Sequence, residues 1–133
     1  MKRSFILICV ISLFSLSSTG QKTDKDYILA LSVELYMNTS AQVSCDNFAT
    51  AFKSELHVSK IVRQDSLVKF TSFVSNVKYA RQNRGIDVRR KFIYESKDED
   101  KIVVCASAND ILVDGRLIKP NKAFIDFLNS LVK

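Results

Sequence analysis

Ile111-Leu112-Val113-Asp114-Gly115-Arg116-Leu117-Ile118 is the stretch that decides the fold. Two apolar triplets flank Asp-Gly, and a two-residue type I′ turn needs positive φ at both central positions, which Asp and Gly tolerate. The segment reads as a β-hairpin. Upstream, Lys101 to Ser107 (KIVVCAS) reads as a strand, joined through the polar turn Lys97-Asp98-Glu99-Asp100 to a β-rich run from Ile86 to Ser96. In that run Val88, Phe92 and Tyr94 are expected to share one face, with Ile93 on the other. Downstream, Pro120 stops the hairpin and Asn121 caps a helix. Its apolar stripe is Phe124, Phe127, Leu128 and Leu131, and Lys133 sits at its negative end.

Towards the N-terminus, Leu29, Leu31, Val33, Leu35 and Met37 alternate with Ser32, Glu34 and Tyr36, the period of a half-buried strand. A helix capped by Asp24 is the competing reading of the same residues. Asp46 is expected to cap a helix carrying Phe48, Phe52 and Leu56. Asp65 is expected to cap another carrying Leu67, Phe70, Val74 and Val77, with Phe73 widening the stripe. Between them, Val58, Ile61 and Val62 form a short strand or a tight connection. Consecutive strands joined by short turns pair antiparallel, and the helices do not alternate with strands one for one. The expected class is α+β: a small antiparallel sheet, its consecutive strands in the C-terminal half, with amphipathic helices packed on one face.

The chain has 133 residues, of which 47% are hydrophobic and 26% charged, so disordered and fibrous classes are excluded. That length fits one domain. Three Gly and one His supply neither a Gly-rich phosphate loop nor a His-rich metal site, and no motif names a reaction or a cofactor. Residues 1–20 read as a secretory signal: Lys2 and Arg3, an uncharged run of mostly apolar residues from Phe5 to Leu16, then Ser18 and Gly20 at the positions a signal peptidase inspects. The apolar run is too short to span a bilayer, which takes about 20 residues. The Gly20-Gln21 ending resembles the signals of exported proteins of Gram-negative bacteria, a likeness confined to this segment. Residues 21–133 are then one domain, periplasmic or secreted, without a transmembrane segment. Loss of Lys2 and Arg3 lowers the net charge from +6 to +4.

Cleavage also removes Cys9 and leaves Cys45 and Cys105, an even count that points to one disulfide in an oxidising compartment. A Cys45–His57 thiol–imidazole pair would be the alternative, a small hydrolase, but twelve residues with a helix between them give no reason to meet. Adding Cys105 would make three zinc ligands without zinc-site spacing. Asp98-Glu99-Asp100 lacks the alternation and the glycine of a calcium loop. Asn38-Thr39-Ser40 fits the N-glycosylation pattern and marks an exposed loop.

The one compositional concentration is cationic. Lys78, Arg81, Arg84, Arg89, Arg90 and Lys91 lie within fourteen residues, opposed only by Asp87 and interleaved with Tyr79, Phe92 and Tyr94. In an exported chain that pattern points away from nucleic acid and towards an acidic glycan, an anionic lipid or an acidic protein surface. Charges that merely keep a strand edge soluble explain the same residues. Arg89 and Lys91 are expected on one strand face and Arg90 on the other. The functional expectation is a non-enzymatic binding or envelope-associated module, with a secreted inhibitor or effector acting through the Asp114-Gly115 hairpin as the alternative. If the signal reading holds, the intact mass of the exported protein matches residues 21–133, allowing for cyclisation of Gln21; a mature product that retains residues 1–20 refutes it.

Overall fold

The computed structural model describes residues 25–132, so the expected signal over 1–20 and the placement of Lys133 lie outside the described residues. The elements are β1 (Tyr27–Ser32), α1 (Phe48–Ala51), β2 (His57–Ile61), α2 (Gln64–Ser75), β3 (Arg90–Glu95), β4 (Lys101–Ala106), β5 (Ile111–Val113), β6 (Arg116–Leu117) and α3 (Lys122–Ser130). The strands form one sheet in the order β2-β1-β3-β4-β5-β6, every neighbouring pair antiparallel. This is an α+β arrangement.

The hairpin that decides the fold forms as its turn chemistry demands, with φ 47° at Asp114 and 78° at Gly115. The Asp114 carboxylate accepts from Val103 N at 2.8 Å, tying the turn to β4. Asn121 caps α3, its side chain accepting from Phe124 N at 3.0 Å. Asp65 lies inside the first turn of α2 and is not its cap: Arg63 holds that position, and the Asp65 carboxylate accepts from Ser66 N and pairs with Arg63. Likewise Asn47 and not Asp46 precedes α1, which is only four residues long. Phe48, Phe52 and Leu56 still pack in one cluster, because apolar spacing specifies what is buried and an irregular chain can bury it too.

β1 stops at Ser32 and does not run on to Met37. Val33 N turns to Arg89 O, and the chain reverses through Glu34 and Met37. β1 lies between β2 and β3, so both of its edges are paired, and both of its faces are packed: Ile28 and Ala30 join one cluster, Leu29 and Leu31 the other. The first cluster sets Leu67 and Phe70 of α2 and Phe124, Ile125, Phe127 and Leu128 of α3 against Phe92, Tyr94, Val104 and Val113. Phe73 stacks on Phe124 and Phe127 at 4.8 and 5.4 Å between centroids. The second cluster lies on the opposite sheet face, where Val43, Phe48, Phe52, Ile86 and Val88 cover Cys105 and Leu112. Expected helical cover on one face alone therefore misses Phe48 of α1. Val88 also parts from Phe92 and Tyr94, because its N–H bonds Val43 O and the regular strand begins only at Arg90.

Phe124 is fully buried and stacked, so Phe124→Ala should lower stability by about 3–5 kcal/mol. Urea unfolding measures it, and a loss under about 1 kcal/mol would mean that the aromatic stack contributes little.

Candidate anion-binding site

The cationic stretch is divided by strand parity. Arg89 and Lys91 face the second cluster, and both are bound internally. Arg89 is 5% exposed and the one charged side chain in the buried set among the described residues. Its Nη1 donates to Asp87 and Val88 O, its Nη2 to Met37 O and Thr39 Oγ1, and the guanidinium stands over the Phe52 ring at 5.3 Å. Asp87, paired with it at 2.7 Å, also accepts from Val43 N. Lys91 Nζ donates to Cys45 O at 2.9 Å. These two cations fasten residues 37–45 to the sheet and are not presented to solvent as a ligand surface.

Cys45 and Cys105 are brought to disulfide distance beside them, Cα atoms 5.9 Å apart. In a bonded pair Cys45 has no thiolate with which to attack a substrate. His57 is on β2, in register with Ser32 and part of another surface. Among the described residues no three His, Cys, Asp or Glu side chains converge as a metal site would require.

Of the remaining cations, Arg84 is exposed and pairs with Asp110 at 3.0 Å, and Arg81 is exposed. Arg90 projects to the opposite sheet face from Arg89 and Lys91. Ser32 of β1 is the register partner of both His57 and Arg90, and Arg90 is the partner of Ala106. Strands lie about 4.8 Å apart, so imidazole, hydroxyl and guanidinium form a row His57–Ser32–Arg90 about 10 Å long. A cleft of about 400 Å³, lined by Ser32, His57, Val58, Ser59 and Val132, opens at the His57 end of this row. Arg90 is half-buried, and burial pulls its pKa below the usual arginine value, although a guanidinium stays charged at neutral pH. Its Nε and Nη1 are buried with no hydrogen-bond partner among the described residues. A half-buried cation with unpaired donors is costly unless an anion or water completes it.

The row has donors and no carboxylate, which suits a phosphate, sulfate or carboxylate oxygen. Arg90 belongs to the cationic run visible in sequence. Ser32 and His57 carry no local signal, since only the β1 register places them beside it. No family model, curated protein or solved structure matches the chain.

Arg89→Met removes the internal clamp, deprives Asp87 of its counter-ion and takes the donor from three acceptors, Val88 O, Met37 O and Thr39 Oγ1, so stability should fall by about 2–4 kcal/mol. Chemical denaturation checks this; a loss below about 0.5 kcal/mol, typical of surface sites, would deny Arg89 its clamping role.

Proposed function

We propose that the chain is a small exported, non-enzymatic binding module that engages an anionic group on a macromolecule: an acidic glycan, an anionic lipid or an acidic protein surface. The observation that carries this reading is Arg90, a half-buried guanidinium with two unpaired donors, in the same cross-strand row as Ser32 and His57. Of the cations in the run from Lys78 to Lys91, Arg90 is the anchor. Arg81 and Arg84 remain on the exposed surface, where they steer an acidic partner at long range. Arg89 and Lys91 serve the fold.

The disulfide-distance pair of cysteines is compatible with export, and no described helix is long and apolar enough to cross a membrane. A binding role also accounts for an arginine left unpaired in the fold, because a site kept ready for a ligand is commonly bought at some cost in stability.

The test is retention of the mature chain on heparin and on vesicles containing phosphatidylserine, with Arg90→Gln compared against Arg81→Ser. Arg90→Gln should weaken binding to at least one of these probes about tenfold, the scale of one charge-assisted hydrogen bond. Binding should also weaken as salt rises. The same variant should unfold at an equal or higher temperature than the parent, since it removes an unpaired half-buried charge. Retention unchanged by Arg90→Gln on both surfaces overturns the assignment. So does weakened binding that merely follows a loss of stability.

A further inference from the structure

The two edges of the sheet are unlike. At the β6 edge, Ala80 N donates to Leu117 O at 2.9 Å, the Asn83 side chain accepts from Leu117 N at 2.8 Å, and Tyr79 bridges Ile118. That edge is covered. At the β2 edge, residues 57–61 pair with β1 on one side, and among the described residues they make no backbone hydrogen bond beyond that ladder. β2 has neither proline nor bulge. Its one lysine, Lys60, lies over the Tyr27 ring of the neighbouring strand at 4.2 Å and so does not guard the edge.

Two exposed apolar side chains stand at the same place. Tyr36, Val58, Val62 and Val68 are the large hydrophobics that stand open among the described residues. Two of them, Val58 and Val62 at 57% and 58% exposure, belong to β2 or to the short connection from it to α2, and Val68 stands on α2 itself. An open edge flanked by apolar side chains is a template for another strand.

We propose that β2 pairs antiparallel with β2 of a second copy of this chain, with Ser59 opposite Ser59 at the two-fold axis. The register follows from self-complementarity, which a two-fold interface requires. Centring the pair on Ser59 sets Val58 against the aliphatic stem of Lys60 of the other copy and Val62 against Leu56. His57 then faces Ile61. Centring it on Lys60 would oppose two ammonium groups directly, which is destabilising across a strand pair. The result is one continuous twelve-stranded sheet from two six-stranded ones. It rests on the edge and its exposed valines and not on Arg90, although it shares His57, Val58 and Ser59 with the cleft at the end of the Arg90 row.

The experiment is sedimentation of the mature chain over a range of concentrations, beside Val58→Lys, Ser59→Cys and Lys60→Cys variants. The parent should be dimeric at the upper end of the range. Val58→Lys, which sets a second cation against Lys60 of the other copy at an exposed position, should be folded and monomeric. Residues directly opposite across antiparallel strands have Cα atoms about 4.5–5.5 Å apart, within disulfide reach, so Ser59→Cys should cross-link the dimer on oxidation. Lys60→Cys, whose opposite residue is Val58, should not. A parent that stays monomeric throughout overturns the proposal, including one that binds some other extended partner. A dimer indifferent to Val58→Lys, or one that cross-links through position 60 and not 59, overturns it equally.

Discussion

Arg89 carries the constraint on which one whole face of the sheet depends. Residues 33–47 have no regular secondary structure, so their backbone groups find no ladder to satisfy them. The guanidinium supplies donors to Met37 O and Thr39 Oγ1, while its partner Asp87 accepts from Val43 N. Lys91 and the Cys45–Cys105 pair act on the other end of the same segment. Closing a loop of 60 residues contributes about 4 kcal/mol in the chain-entropy account, so covalent and ionic fasteners are comparable in size. With that segment held down, Val43, Phe48 and Phe52 can cover Cys105 and Leu112. The opposite face needs no such device, because α2 and α3 satisfy their own backbones and have only apolar stripes to bury.

Three consecutive cations at the start of β3, Arg89 just before it and Arg90 and Lys91 within it, illustrate how strand parity assigns different roles to the same chemistry. Side chains alternate between faces, so Arg89 and Lys91 meet the irregular segment and its many carbonyls. Arg90 meets the face closed by helices, where the apolar cluster offers it no acceptor among the described residues. Both terminal nitrogens of Arg89 are partnered and only its Nε is left over, whereas Arg90 has Nε and Nη1 buried with no partner, so burial costs Arg90 more.

Local chemistry was legible in the sequence wherever one element decides its own geometry. The 111–118 hairpin follows from the φ tolerance of Asp114 and Gly115, and α3 from Asn121 and the Phe124-Phe127-Leu128 stripe. The span of β1 was less legible, because Val33 is buried beyond the strand's end by a contact with Arg89 far along the chain. The 46–56 helix shrank to four residues for a related reason: Phe48, Phe52 and Leu56 reach their cluster without continuous helical hydrogen bonding. At the candidate site, the cationic run announced Arg90 together with neighbours that the fold uses differently. The relation of Ser32 and His57 to Arg90 was invisible because it is a matter of register, and register joins residues that are distant in sequence.

The rows of β2, β1, β3 and β4 on the helix-covered face show how a core becomes a surface within one sheet. Ile61, Ile28, Tyr94 and Ile102 form one row, and Ser59, Ala30, Phe92 and Val104 the next. The third is His57, Ser32, Arg90 and Ala106. Successive rows on one face are about 6.6 Å apart, so the passage from wholly apolar to cationic takes little more than one helix diameter. Phe92 and Val104 are fully buried in the middle row and fix the strands on which Ser32 and Arg90 stand. Groups mounted on rigid strands keep their spacing without a ligand, so an anion arriving at this row need not order the chain that receives it. In the proposed binding role the cost of that readiness would fall on the free protein, in the unpaired donors of Arg90, beside an aromatic core one row away.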